Sequence, residues 1–197
     1  MLALAAPVMV RSARSASLLV AMVAIGACSS GERKAPDSPV ASRTAAPAPA
    51  PALAGDADRD FLRMMSDHHK GLIVMAHMTK DRRQGGRVVT DAKRLDAKQD
   101  AELDKMVSML ETTYKDPYAP RVMPEHQAMA DKLKIASAAD YDRTFYESVI
   151  AHHAQALAMV DAYLPHAKSA VVKQLAETMK AGQAREIAEF QRRVRLR

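Results

Sequence analysis

The stretch DRDFLRMMSDHHKGLIVM at residues 58–75 returns as DRTFYESVIAHHAQALAM at residues 142–159. The two segments align without a gap at an offset of 84 residues, which puts an adjacent histidine pair at the same place in each. The similarity extends over residues 58–106 and 142–190, where 11 of 49 positions are identical. Internal repetition of this kind indicates one structural unit that is used twice. The sequence therefore predicts that the folded part of the chain is a duplicated helical unit.

The residues around these segments have helical spacing. Charged residues alternate with Ala, Leu and Met throughout, and no segment has the pattern of a β-strand. Each repeat therefore predicts an antiparallel helical hairpin, and the two hairpins predict an all-α four-helix bundle with a long crossover. Helices are expected over residues 58–82, 90–114, 139–164 and from 167 towards the C-terminus, with turns at Gly85-Gly86 and Pro165 and a short helix after Pro124.

Each predicted helix carries a polar residue on the face that its apolar residues assign to the core. His68 and Glu102 stand at nearly equal distances from the first turn, so they should lie at nearly the same height in an antiparallel pair. The repeat gives His152 and Glu186 the same relation. Buried imidazoles and carboxylates must pair with each other, with water or with a metal ion, because leaving them unpaired costs several kcal/mol.

The adjacent histidines should play different parts. Neighbouring residues of a helix point about 100° apart. We therefore expect His68 and His152 to point inward and His69 and His153 to lie at the edge of the core stripe. Met65 precedes His69 by one helical turn, so the two side chains can meet in a groove between helices.

Two hypotheses for this layer remain open from the residues alone. It is either a metal site or a structural network of His–Glu hydrogen bonds that fixes the register of the hairpins. A catalytic centre is a third alternative, and no motif for nucleophilic catalysis is present. The single cysteine, Cys28, excludes a site built from paired thiolates. Methionine is frequent between residues 64 and 129, and a mixture of thioether and imidazole ligands favours copper over iron.

The N-terminal third indicates export and anchoring. Residues 1–27 have the basic start and short apolar stretch of a signal peptide. They end in IGAC, which resembles the lipobox of bacterial lipoproteins and predicts lipidation at Cys28. The Pro/Ala-rich residues 28–57 predict a disordered tether. We thus expect a membrane-anchored protein that faces the periplasm or the extracellular side, with residues 58–197 as its folded domain.

The composition argues against a nucleic-acid partner. The formal net charge of +6 includes the two arginines of the predicted signal peptide. Aromatic residues make up only 4% of the chain and tryptophan is absent, which leaves little for base stacking.

The motif DRDFLRMMSDHHKGLIVMAHM, with its echo DRTFYESVIAHHAQALAMVDAYL and the later QAREI, resembles the bacterial family known as domain of unknown function 305. The resemblance covers about residues 58–194. It implies a ferritin-like four-helix bundle, export, and the copper or silver binding in which some members are implicated. Di-iron oxidases of that fold carry Glu-x-x-His motifs, whereas this chain carries His-His and Gln-x-x-Glu, so a di-metal oxidoreductase stays a second alternative. The family motif positions are His68, His69, His152, His153, Glu102 and Glu186.

Overall fold

Five α-helices make up the protein in the computed structural model, which describes residues 55–83 and 85–196. No strand occurs among those residues. One turn of 3₁₀ helix, Leu164–His166, follows the fourth helix. The helices are α1 (Ala57–Arg82), α2 (Arg87–Thr112), α3 (Pro124–Ile135), α4 (Tyr141–Tyr163) and α5 (Ala170–Arg195).

Local sequence determines where the helices begin. The Asp56 carboxylate accepts hydrogen bonds from the backbone N–H groups of Asp58 and Arg59, both at 3.1 Å, and so caps α1. Ser169 caps α5 in the same way by accepting from the N–H of Val172 at 3.4 Å. Proline occupies the first position of α3, where a missing N–H costs nothing.

The first turn is tighter than the sequence predicted. The second helix was expected to begin at Thr90, yet α2 begins at Arg87, directly after Gly86. Gly85 and Gly86 have φ angles of 92° and 87°, a conformation that glycine adopts without steric cost. Helix α2 therefore starts directly after the two glycines, and three more residues than expected are helical.

The architecture confirms the predicted all-α bundle of two antiparallel hairpins. Helices α1 and α2 form the first hairpin, α4 and α5 form the second, and α1 packs against α4. The crossover between the hairpins carries α3, which packs on both α1 and α4. This short helix thus lies over the junction of the two hairpins.

A polar layer divides the hydrophobic core in two. Along α1, Phe61 and Leu62 of one cluster precede His68, and Met75 and Ala76 of the other follow His69, with Ile73 as the exception that belongs to the first cluster. The order is reversed along α4, because the repeat runs in the opposite direction there. Each cluster is therefore built from both hairpins. The buried polar residues between the clusters are His68, His69, Gln99, His126, His152, His153, Gln183 and Glu186.

None of the helices in the described part of the chain has the length and apolar character needed to cross a membrane. The predicted signal peptide, the lipidation site Cys28 and nearly all of the predicted tether lie outside the described residues.

Candidate metal centre

Three buried imidazoles meet in the polar layer. His68 comes from α1, His152 from α4 and His126 from α3. The ring centroids of His68 and His152 are 3.8 Å apart, and the His126 ring lies 4.6 Å from the first and 4.5 Å from the second. One ring nitrogen of each residue lies within 4.8 Å of those of the other two. These three residues, each at most 1% exposed, are called the histidine triad below.

Hydrogen bonds leave lone pairs unused in the triad. The Nε2–H of His152 donates to the backbone carbonyl of His68 at 2.9 Å, and the Nε2–H of His126 donates to the Gln155 amide oxygen at 3.2 Å. Each bond places the ring proton on Nε2 and leaves Nδ1 as an acceptor. Neither of these Nδ1 atoms, nor either nitrogen of His68, has a hydrogen-bond partner among the described residues.

The triad is uncharged. Burial, and then the neighbouring imidazoles, hold the pKa values of His68 and His152 well below the ordinary value of 6.5. Burial also lowers the pKa of His126. At neutral pH each of the three rings therefore carries one N–H and one lone pair.

The donor set fits a cation. Buried polar atoms normally have partners, and leaving them without any costs about 1–3 kcal/mol each. Bonds from metal to imidazole nitrogen are about 2.0–2.1 Å long, so two nitrogens on one ion lie at most about 4 Å apart. Three nitrogens spaced evenly around one ion lie about 3.5 Å apart, so the nitrogens of the triad, which lie within 4.8 Å of one another, need to approach by up to about 1.3 Å.

The two carboxylates of the layer contact the other histidine of each pair. Glu102 Oε2 lies 2.9 Å from His69 Nε2, and Glu186 Oε2 lies 3.0 Å from His153 Nε2. Glu102 was expected at nearly the height of His68, and it contacts the next residue along α1, His69. Helix α2 packs against the side of α1 on which residue 69 lies, and the 100° between neighbours turns His68 towards α4 instead.

His69 and His153 were expected at the edge of the core, and this too is corrected. Both residues are fully buried. The Nδ1–H of His69 donates to the backbone carbonyl of Met65 at 3.0 Å, so both of its nitrogens face oxygen atoms and neither offers a free lone pair. The Met65 side chain is also fully buried. It packs in the same apolar cluster as Phe61 and Leu62 and not in a groove between helices.

Glu186 is the centre of an ion-pair group. Besides His153, it contacts Lys98 Nζ at 3.1 Å and Arg94 Nη1 at 3.3 Å. Burial raises the pKa of Glu186, but His153 and Lys98 outweigh it and keep the value below the ordinary one. Burial lowers the pKa of His153. The two His–Glu pairs therefore join α1 to α2 and α4 to α5.

His126 is the member of the triad that sequence reasoning missed. It is buried, with only 1% of its surface exposed. It lies in the crossover, outside both repeat units, so the repeat contains no signal for it. The nearest indication in the sequence is Pro124, which lies two residues before His126 and begins α3.

A second group with metal-ligand chemistry is exposed. His77 Nε2 lies 2.9 Å from Asp96 Oδ1, and Asp100 is close to both. Lys80 also pairs with Asp96. At the same positions of the second repeat, Lys180 pairs with Asp161. We therefore interpret this group as an ion pair between the helices of a hairpin.

The family profile described as "Domain of unknown function (DUF305)" matches residues 58–194. The chain belongs to the DUF305 family. This confirms the resemblance drawn from the doubled His-His motif. No curated protein sequence matches the chain.

Solved DUF305 structures share the fold. A DUF305 fragment from Deinococcus radiodurans is 23% identical with a TM-score of 0.64, and the match covers 73% of this chain and 98% of that one. CopM in its Cu(I)-bound form is 24% identical with a TM-score of 0.59, covering 68% and 93%. A putative secreted DUF305 protein from Streptomyces coelicolor is 21% identical with a TM-score of 0.59, covering 68% and 90%. CopM has also been crystallised with Cu(II) and with silver.

The lowered pKa values predict that the metal-free protein loses stability in mild acid. Unfolded histidine takes up a proton near pH 6.5, whereas folded His68 and His152 do so only at much lower pH. Below 6.5, each therefore lowers the free energy of unfolding by up to about 1.4 kcal/mol per pH unit. Urea unfolding between pH 7.5 and 5.5 measures this effect, in a range where carboxylates contribute little. A free energy that stays constant over that range would contradict the prediction.

Proposed function

We propose that this protein binds copper in the cell envelope and holds one Cu(I) ion at the histidine triad without catalytic turnover. The observation that carries the proposal is the set of buried imidazole lone pairs in His68, His126 and His152 that have no partner among the described residues. One cation can bind the lone pairs of several neighbouring imidazoles at once.

The chemistry of the donors supports copper. Imidazole is a ligand for copper, zinc, iron and nickel. The triad offers three neutral donors, and the acceptors that orient His126 and His152 are an amide and a backbone carbonyl. A buried site without negative charge favours a monovalent ion, because a divalent ion would bring a larger uncompensated charge into the interior. The Cu(I) and silver complexes of CopM, a protein of the same fold, are consistent with this choice.

The location in the cell envelope follows from the predicted signal peptide and from lipidation at Cys28. The tether over residues 28–57 would let the bundle reach roughly 80–90 Å from the membrane. In this position the protein would sequester or hand on copper ions outside the cytoplasm. The membrane, through the lipid, and the metal ion are the partners that we propose.

The alternatives account for less of the geometry. A purely structural layer explains the His69–Glu102 and His153–Glu186 pairs, and we assign those pairs that role. It gives no reason for burying His68, whose two nitrogens lack partners. A di-metal oxidoreductase has less support, because Glu102 and Glu186 contact His69 and His153 rather than the triad.

Titration of the purified protein with Cu(I), without oxygen and against a coloured Cu(I) chelator, tests the proposal. We expect one Cu(I) per chain to be retained, with nitrogen neighbours in X-ray absorption spectra. Zn(II) should bind at least about tenfold more weakly. Loss of all Cu(I) to the chelator would overturn the proposal. Sulfur neighbours in the spectra would move the site to methionines and would overturn it as well.

A further inference from the structure

The sequence repeat supplies only two of the three triad ligands. His68 and His152 occupy the same repeat position on α1 and α4. His126 has no counterpart in the repeat, because α3 lies in the crossover. The third ligand, His126, therefore reaches α1 and α4 from the crossover. These two helices must contact it through different residues.

Gly71 provides the space for His126 on α1. A Cβ atom at residue 71 would lie 2.4 Å from His126 Nδ1, 2.5 Å from its Cγ and 2.6 Å from its Cβ. No real side chain tolerates contacts this close, and His126 is buried and cannot simply swing away. Gly71 lies in the middle of a regular helix, where alanine is energetically the better residue. The close approach of His126 is thus a physical reason for glycine here.

Gln155 orients the same ring from α4. Its amide oxygen accepts the Nε2–H of His126 at 3.2 Å, which keeps Nδ1 unprotonated. Partners of this type fix the tautomer and the ring orientation of metal-binding histidines.

Residues 71 and 155 are the same position of the repeat, one turn beyond the His-His pair in each copy. The two copies keep both histidines and the methionine at 75 and 159, yet they differ at this position. Glycine on α1 leaves room for the His126 ring, and glutamine on α4 accepts its hydrogen bond. The two copies of the repeat therefore contact the single imidazole in different ways.

We infer that Gly71 and Gln155 are the positioning residues that seat His126 as the third ligand of the copper site. This inference rests on the proposed function. It also implies that docking of α3 completes the site, since α3 contributes His126 and no residue of either repeat replaces it.

The test measures Cu(I) affinity by chelator competition, together with the melting temperature of the metal-free protein. Gly71→Ala should lower Cu(I) affinity by at least about tenfold, as expected for loss of an outer-shell partner. Gln155→Leu should do the same, and Gln155→Glu, which keeps an acceptor for Nε2–H, should restore most of the affinity. Gly182→Ala is the matched control. Its added methyl group meets the flexible end of Lys98, 2.8 Å away, so Cu(I) affinity should not change.

A second background separates positioning from general damage to the fold. In the His126→Ala protein, Gly71→Ala should have no further effect on Cu(I) affinity and should raise the melting temperature, because the clash is gone and alanine favours the helix. Equal loss of affinity in both backgrounds would overturn the positioning role. If Gly71→Ala leaves Cu(I) affinity unchanged while His126→Ala lowers it, the positioning role is overturned and the three-ligand site is not. Unchanged affinity in the His126→Ala protein would instead overturn the three-ligand site.

Discussion

Replacing His68 by leucine is expected to lower Cu(I) affinity at least about a hundredfold, which is more than the loss of an outer-shell partner causes. The melting temperature of the metal-free protein is not expected to fall. In the structure both ring nitrogens of His68 are buried without a hydrogen-bond partner. An apolar side chain of similar volume removes those unmet atoms while it keeps the packing. Chelator competition measures the affinity, and circular dichroism measures the melting temperature of the same samples.

This substitution separates the metal hypothesis from the structural one. A His68→Leu protein that melts much lower but binds Cu(I) as the wild type does would show that His68 holds the bundle together rather than a metal ion. His77→Leu is the control, because this exposed histidine lies outside the triad and should leave Cu(I) affinity unchanged. His152→Leu should also lose Cu(I), but with some loss of stability, since it removes the hydrogen bond to the His68 carbonyl.

Replacing Asp58 by alanine is expected to lower the free energy of unfolding by about 3–5 kcal/mol. This carboxylate is only 3% exposed. It accepts hydrogen bonds from the Tyr163 hydroxyl and from the backbone N–H groups of Lys168 at 3.1 Å and Ser169 at 2.8 Å. It therefore ties the start of α1 to the turn between α4 and α5. Burial, and then Asp58, raise the pKa of Tyr163, so the tyrosine remains a donor.

The buried Tyr163 hydroxyl and two partly buried backbone N–H groups lose their acceptor together in the Asp58→Ala protein, which is why the expected effect is large. Urea unfolding should show a lower midpoint with an unchanged slope. Asp60→Ala is the matched control. Asp60 is partly exposed and, within residues 55–83 and 85–196, its carboxylate forms an ion pair with its neighbour Arg59, so a change within about 0.5 kcal/mol is expected. A loss below about 1 kcal/mol for Asp58→Ala would contradict the importance of this connection.

The height of the polar layer could be predicted from the sequence to within one residue. Nearly equal distances from the Gly85-Gly86 turn placed His68 and Glu102 close to the same height, and the observed pair is the adjacent His69 with Glu102. Helix rise is the same for every sequence, so counting residues gives height. The direction of a side chain around the helix depends on where the neighbouring helices pack, and a count along the chain carries no such information.

The sequence by itself determined the duplicated hairpins, the helix type of each segment and the presence of imidazoles and carboxylates inside the bundle. Hydrophobic periodicity, turn residues and the repeat are local properties, and they suffice for those features. Only the tertiary structure decided which histidine of each pair meets a carboxylate, and that His126 joins His68 and His152. The crossover brings α3 onto α1 and α4 through contacts between residues that are far apart in sequence. The close approach of His126 to Gly71 is one of these contacts, and it exists only in the folded protein.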